Sequence, residues 1–386
     1  MRTGGLEASV HIVDHPNQFD RFEKGIFLSS HCLERNLEHM FNLWTEVFIN
    51  MHLNDSCEEG YLLQLIRIYN SEMANSVSSY GHKYAMNRAA SAFGGAMKLR
   101  ELTSGMSSLN HFRELAGNPE NIFKVAKCLK EISNIVMNTE GLRCALNAEA
   151  VTTRQSLQVV EKFINKVKLD DVGNSNESGG PLDILSSSLK YFFTSSESES
   201  SDSSEIIMPT LQHSQNEHFI FPFSTNYLSR AVFCAPFTHP DHAKLRIAAS
   251  LVSSKFLHKE VREKGGAYGG GAKFDLGGVL SYYSYRDPHV QKTIDVFDQA
   301  GKWLMNGSSN YTDQEIDEAK LKVFQSVDAP ITPSQQGLEY FLTGIDDDMK
   351  QDYRLRLLDV DKADIQEVAE RFVLVCFLGN FLKFIL

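Results

Sequence analysis

Apolar side chains in the first 168 residues recur every three to four positions, which is the spacing of helices that bury one face. The clearest case is residues 30–49, where one stripe holds the apolar residues Leu33, Leu37, Met40, Phe41, Trp44, Val47 and Phe48. The same pattern predicts further helices over residues 61–77, 82–93, 119–137 and 153–167, and strands over residues 5–13 and 142–148.

From residue 213 onward, strand-like and helix-like stretches alternate. Two strands are predicted within residues 218–233, with a break near Asn226, and Thr312 with Glu315 forms a capping box that opens a helix. The remaining predictions are a strand over residues 279–285 and helices over residues 241–259, 290–305, 334–342, 349–358 and 362–372. Both halves therefore mix helices and strands, and the fold class is α+β with a weak internal repeat.

Residues 169–212 separate these two halves. Within them, residues 195–205 contain only serine, glutamate and aspartate, so the segment has no apolar side chain to bury and is expected to be disordered. We expect an N-terminally incomplete domain over residues 1–168, a flexible acidic, serine-rich linker over 169–212, and a second domain over 213–386.

Composition narrows the class of protein. The 386 residues are 42% hydrophobic and 23% charged, with a net charge of −11, which is ordinary for a globular protein and argues against nucleic acid or an anionic membrane as partner. The six scattered cysteines form no short-spaced motif and are expected to be reduced thiols. Residues 1–13 have neither signal-peptide nor transit-peptide character.

Candidate chemistry is concentrated in residues 261–273, between a predicted helix and a predicted strand. Five glycines occupy seven positions from Gly265 to Gly271, so another backbone can approach closely, while Arg262 and Tyr268 supply a cation and a phenol. A phosphate-binding loop requires lysine directly after the last glycine and then a helix, and neither is present. The two interpretations left open are a site for an extended peptide and a glycine-rich bulge with no ligand.

Residues 262–272 and 283–288 resemble the C-terminal half of the presequence proteases, mitochondrial zinc metallopeptidases of the pitrilysin (inverted zincin) family. Residues 28–37, 317–321 and 326–330 resemble the same half in the same order, and the likeness runs from about residue 3 to residue 372. The resemblance implies two pitrilysin-like α/β sandwich domains, each an antiparallel sheet packed with helices. It also implies that the zinc site lies in an N-terminal half that this chain lacks.

The resemblance implies a function for the glycine-rich segment. Arg262 and Tyr268 match the family's substrate-binding arginine and tyrosine, and Gly265, Gly266 and Gly269 are expected to give a peptide room. The expected partners are peptide substrates and the zinc-bearing N-terminal half, and the expected location is the mitochondrial matrix. No catalytic residue and no metal ligand is predicted in this chain, so whether it is an enzyme by itself stays open.

One motif imitates a metal site. His11 and His15 reproduce the spacing of the H-x-x-E-H zinc motif, with Asp14 in place of glutamate. That motif binds zinc from one face of a helix, whereas Ile12 and Val13 favour a strand and Pro16 disfavours helical angles at the residue before it. The sequence therefore predicts that these histidines hold no zinc.

Two alternatives to a substrate-binding protease half remain. The chain could be a non-catalytic structural or peptide-holding partner, since the family is expected to include subunits without a zinc site. It could also be a truncated product without function, because residues 373–386 are apolar and unlike the family's closing segment, which puts the last strand in doubt. The retained Arg262 and Tyr268 favour the protease half.

Overall fold

The computed structural model describes residues 3–18, 21–50, 56–137, 141–174, 215–374 and 382–385. Contacts divide the chain into two compact units. The first unit contains Met1–Val10, Gly25–Ile66 and Leu115–Ile206, and the second contains His11–Lys24, Arg67–Glu114 and Ile207–Leu386. The predicted linker lies largely outside the described residues, so the domain limits at residues 168 and 213 stay a prediction.

The chain begins with two paired strands, β1 (Leu6–Asp14) and β2 (Phe22–Ser30). The helices that follow are α1 (Leu37–Ile49), α2 (Ser56–Ala90), α3 (Gly95–Ser104), α4 (Met106–Gly117), α5 (Ile122–Val136) and α6 (Thr153–Asn174). Tyr80 leaves helical angles with a φ of −129°, which confirms the predicted break between two helices inside α2.

The core of the first unit lies where α1 meets α6. Met40 and Trp44 of α1 pack against Phe163 and Val167 of α6, and Leu142 packs against the same cluster. Burial of large apolar side chains at helical spacing explains why the periodicity of residues 30–49 predicts the helix correctly. The strand predicted over residues 142–148 is wrong, because this segment contributes an apolar anchor and has no partner strand among the described residues.

The second unit contains a five-stranded sheet with the order β3-β7-β4-β6-β5. Its strands are β3 (Gln215–His218), β4 (Asn226–Phe233), β5 (Gly269–Phe274), β6 (Val279–Asp287) and β7 (Leu382–Ile385). β5, β6, β4 and β7 pair antiparallel in turn, while β3 and β7 pair parallel. The described sheet therefore ends at β5, whose outer edge pairs with no other described strand.

Helices accompany this sheet along the chain. They are α7 (Asp241–Leu251), α8 (Val290–Met305), α9 (Gly307–Asn310), α10 (Asp313–Val327), α11 (Leu338–Thr343), α12 (Asp347–Asp359) and α13 (Lys362–Val368), and π-helical segments continue α7 over Val252–Glu263 and α13 over Ala369–Leu374. Thr312 caps α10 through the predicted capping box. None of the helices in the described part of the chain has the length and apolar content needed to cross a membrane.

Candidate functional site

The candidate site begins where the π-helical continuation of α7 ends. Val252, Phe256, Leu257 and Val261 bury one side of this segment, and its wider turns carry the helix to Glu263. Lys264 still donates its N–H to the carbonyl of Lys259, 3.0 Å away, which is a bond across five residues. Single stretches of π-helix are uncommon and occur often at functional sites.

Gly265 and Gly266 end the helix, and each is required for a different physical reason. Gly266 has a φ of +79°, a left-handed conformation, and its N–H bonds to the carbonyl of Arg262 at 3.0 Å, the arrangement of a helix C-cap. A Cβ on Gly265 would lie 2.4 Å from the carbonyl oxygen of Val261. The space left by Gly265 is thus filled by the helix's own carbonyl, and the freely accessible glycine of this pair is Gly266.

Tyr268 stands directly before edge strand β5. Its N–H donates to the carbonyl of Arg286 at 3.4 Å, which starts the β5–β6 ladder, and its ring meets the Tyr285 ring edge-on at 5.6 Å. The side chain is 67% exposed, so the phenol is available to a ligand. Gly269 follows it, and a Cβ there would have its nearest contact at 3.9 Å, so neither crowding nor backbone angles demand this glycine.

Arg262 lies on the last turn of the π-helix and is exposed. Its guanidinium Nη1 lies 3.4 Å from Nε2 of His258, whose Nδ1 is 3.3 Å from a carboxylate oxygen of Glu263. Among the described residues, Arg262 forms no ion pair with a carboxylate. The structure therefore places Arg262 and Tyr268 at opposite ends of one turn, both exposed and joined by no hydrogen bond.

An aromatic cluster supports Tyr268 from below. Tyr285 contacts Tyr268, Tyr227 at 5.7 Å and His82 of α2 at 5.0 Å, and Tyr227 donates to the carbonyl of Ser78. Burial is the main cause that lowers the pKa of His82 to about 4, helped by the positive charges of two nearby lysines, so this ring is neutral near pH 7. Sequence reasoning missed His82, because its only signal is a helical pattern.

The histidines of the imitated zinc motif do not lie on a helix. His11 is on β1, with Nε2 3.3 Å from a carboxylate oxygen of Glu23, and His15 follows the strand and accepts the N–H of Asn17 at 3.2 Å. Within the described ranges, no three histidine, cysteine, aspartate or glutamate side chains form a group that could hold a metal ion. The residues described here therefore do not fit a zinc site.

A second concave surface lies between α2 and α3, a cleft of about 360 Å³ that includes Arg88 and Glu101. Arg88 makes a bidentate ion pair with Glu217 at 2.7 and 2.9 Å. Burial raises the pKa of Glu101, and its Oε1 accepts the N–H of Ser107 at 3.0 Å. These charged groups are engaged with one another and with a helix start, which favours a structural role for the cleft.

Comparisons with solved structures place this architecture in the class of pitrilysin-like peptidases. Pitrilysin itself matches with a TM-score of 0.56 at 12% identity, covering 99% of this chain and 36% of that chain. A protease from Helicobacter pylori matches with a TM-score of 0.56 at 11% identity, covering 99% of this chain and 81% of that chain. At such identities the likeness establishes the fold alone, and it confirms the predicted α+β pitrilysin-like class.

Sequence comparisons narrow the class to one family. A family of regions associated with M16 peptidases of subfamily C matches residues 1–115, and the PreP C-terminal domain matches residues 216–383. The mitochondrial presequence proteases of Xenopus tropicalis and Mus musculus are 37% and 36% identical over 97% of this chain. The chain belongs to the presequence protease family and matches its C-terminal half, which confirms the resemblance. It spans about 36% of the length of these relatives.

Proposed function

We propose that this chain is the substrate-binding C-terminal half of a zinc metalloendopeptidase that degrades targeting presequences and other short unfolded peptides. The observation that carries the proposal is the pair of exposed donors, Arg262 and Tyr268, at the two ends of a turn that opens onto edge strand β5. Family membership supports it, since the relatives are named mitochondrial presequence proteases. The mitochondrial matrix is the proposed location on the same ground.

The chemistry of the two side chains fits this function. In peptide hydrolysis the oxygen of the scissile carbonyl gains negative charge in the transition state, and hydrogen-bond donors aimed at that oxygen lower the barrier. A phenol offers one such donor, and a guanidinium offers several in a planar fork. Arg262 pairs with no carboxylate among the described residues and Tyr268 is exposed, so both donors are available to a bound peptide.

The backbone around these side chains suits an extended ligand. Half of the N–H and C=O groups of an edge strand point away from the sheet, where an extended peptide can pair with them. β5 is such an edge, and Gly269, Gly270 and Gly271 give its first half a surface without side chains. A peptide running along β5 would pass the phenol of Tyr268.

We place the zinc in the N-terminal half of the complete enzyme, because the described residues of this chain do not fit a zinc site. When bound there, the metal supplies an activated water. In this proposal, the part played by this chain is to position the peptide and to donate hydrogen bonds to its carbonyl. Peptides and the zinc-bearing half are therefore its proposed partners.

The competing candidate is a non-catalytic structural or peptide-holding subunit. The observation that favours it is the helix cap, since Gly265 and Gly266 serve the end of the π-helix whether or not a ligand binds. A purely structural turn gives no reason to leave the donors of Tyr268 and Arg262 exposed. The two candidates therefore differ in what substitution of these two side chains does.

The test is a peptide-cleavage assay on this chain combined with the zinc-bearing N-terminal half of the Xenopus tropicalis relative. In Tyr268→Phe the ring stays and one donor is lost, so kcat is expected to fall about 100-fold with little change in KM. Arg262→Ala is expected to lower kcat/KM, and Arg262→Lys to restore it poorly because the planar fork is lost. Lys273→Ala, an exposed neighbour with no proposed contact to the carbonyl, is the matched control.

The result that overturns the proposal is equally definite. Unchanged kcat/KM in both Tyr268→Phe and Arg262→Ala, with folding verified by circular dichroism, would reduce the turn to a structural helix cap. Absence of cleavage by the combined wild-type halves, with both folded and associated, would favour the non-catalytic subunit.

A further inference from the structure

The end of β6, opposite Tyr268, has an unusual backbone. Arg286 has a φ of 49°, which makes it the one described residue other than glycine in the left-handed region. This conformation costs an arginine roughly 1–2 kcal/mol, whereas glycine adopts it without that penalty. Such strain is retained where the surrounding structure enforces it, and it occurs often at functional sites.

The neighbouring Asp287 enforces this turn. Asp287 is fully buried, and its carboxylate accepts the N–H of His289 at 2.8 Å and the hydroxyl of Thr293 at 2.7 Å. Its carbonyl accepts the side-chain amide of Asn226 at 3.0 Å. These bonds tie the end of β6 to the start of α8 and to β4. The guanidinium of Arg286 takes part in none of them, so its side chain is not what holds the turn.

The guanidinium of Arg286 lies close to the proposed peptide-binding residues. It sits over the ring of Tyr285 at 5.3 Å, and that ring contacts the ring of Tyr268 at 5.6 Å. The backbone carbonyl of Arg286 accepts the N–H of Tyr268. Stacking on an aromatic ring restricts a guanidinium while leaving its N–H fork available in the plane. An arginine, an aromatic spacer and the phenol thus form one row, the Arg286–Tyr285–Tyr268 row.

The charge around this row is positive, although the chain as a whole carries −11. Arg286 has no carboxylate partner among the described residues, and the same holds for the exposed lysines whose charges reach His82. The acidic side chains of the adjacent turn are already engaged, Glu260 with Lys264 at 2.7 Å and Glu263 with His258 at 3.3 Å. A guanidinium without an anion beside it is suited to bidentate binding of a carboxylate.

We propose that Arg286 is a specificity-determining residue that binds a carboxylate of the peptide held at Arg262 and Tyr268. The inference rests on the proposed function and adds to it a preference for peptides with an acidic group near the bound segment. The carboxylate has two sources, an aspartate or glutamate side chain and the C-terminal carboxylate of the peptide. Both present the same planar pair of oxygens to the guanidinium.

The experiment uses the two combined halves and four peptides of one sequence. One pair differs only by glutamate or glutamine at a single position, and the other pair only by a free or amidated C-terminus. The wild type is expected to cleave at least one acidic member with a kcat/KM about tenfold above its neutral counterpart, with the difference in KM and decreasing at higher salt. The pair that shows the difference identifies the source of the carboxylate.

Arg286→Gly is the decisive variant, because glycine suits the left-handed turn and keeps the fold. It is expected to cleave the acidic peptides as slowly as the neutral ones while leaving the neutral ones unchanged. Arg286→Lys keeps the charge and is expected to restore part of the preference. Lys322→Ala, which removes an exposed lysine on α10, is the control and is expected to retain the preference in full.

Two results would overturn the inference, and they are distinguishable. Equal cleavage of acidic and neutral peptides by the wild type, or a preference that survives in Arg286→Gly, would remove the carboxylate subsite and leave the proposed function intact. Failure of the wild type to cleave any of the four peptides would contradict the proposed function, and the carboxylate subsite would fall with it.

Discussion

The two ends of the β5–β6 hairpin solve the same backbone problem differently. At the closed end, the left-handed position is Gly278, where a Cβ would lie 2.5 Å from Ala235, and Oδ1 of Asp275 accepts the N–H of Val279. At the open end, the left-handed position belongs to Arg286, beside an exposed Tyr268. The closed end uses the residue that its conformation favours, whereas the open end retains a side chain at a cost in stability.

This difference separates structural turns from a candidate binding surface. Side chains that contribute neither packing nor hydrogen bonds to the fold, yet occupy an unfavourable conformation, have their explanation outside the isolated chain. The guanidinium of Arg286 meets that description, and the closed end has no residue that does. The hairpin therefore has one end built for stability and one end that we assign to a ligand.

Gly265→Ala tests the steric part of this comparison and has the largest expected effect. The new Cβ would meet the Val261 carbonyl oxygen at 2.4 Å, so the helix end must shift, at a cost of about 2–3 kcal/mol. Gly269→Ala is the matched control, because its nearest contact would be 3.9 Å, and it should change stability by less than about 0.5 kcal/mol. Denaturant unfolding measures both, and equal midpoints would show that Gly265 is not needed for packing.

A reciprocal pair of substitutions tests the conformational part. Gly266→Ala places a Cβ at a φ of +79° and should cost about 1–2 kcal/mol. Arg286→Gly relieves similar strain, offset by the greater freedom of glycine in the unfolded chain, so its stability should stay within about 0.5 kcal/mol of the wild type. The measurement is again the unfolding midpoint, and marked destabilisation by Arg286→Gly would mean that its side chain serves the fold.

The acid limb of stability should report His82, at about 1 kcal/mol once solvent screening of this half-buried ring is allowed for. Its pKa in the folded chain is lowered to about 4 from 6.5, so the unfolded chain binds the proton first as the pH falls. The stabilisation is therefore complete above pH 6.5 and is lost between pH 6.5 and about 4. His82→Phe keeps the packing on Tyr285 and cannot titrate, so its melting temperature should fall less than that of the wild type over this window. Parallel melting curves would contradict the assignment.

The sequence predicts the parts of this site that depend on local chemistry. The helical pattern of residues 241–259 predicts the helix, and the glycine run predicts its end. The roles of Gly265 and Gly266 could not be separated, because one depends on a distance to a carbonyl and the other on a backbone angle. Strand β2 was missed because it is set by pairing with β1 and not by periodicity.

Arg286 and His82 show where sequence reasoning reaches its limit. Residues 283–288 carry the family resemblance, yet nothing in their order indicates that Arg286 occupies a left-handed angle over the ring of Tyr285. His82 reaches the same ring from α2, on a helix that lies far away along the chain. Contacts between elements so distant in sequence arise from the packing of the second unit, which a single sequence does not encode in any local pattern.

The most direct test of the account is whether a bound peptide touches Tyr268. A photo-crosslinking benzoyl-phenylalanine placed at position 268 of the combined halves would be irradiated with a peptide substrate and analysed by mass spectrometry, with Tyr340, exposed elsewhere in the second unit, as the control position. The account predicts a covalent adduct between position 268 and the peptide, and none at position 340. Cleavage of the peptide without any adduct at position 268 would contradict it.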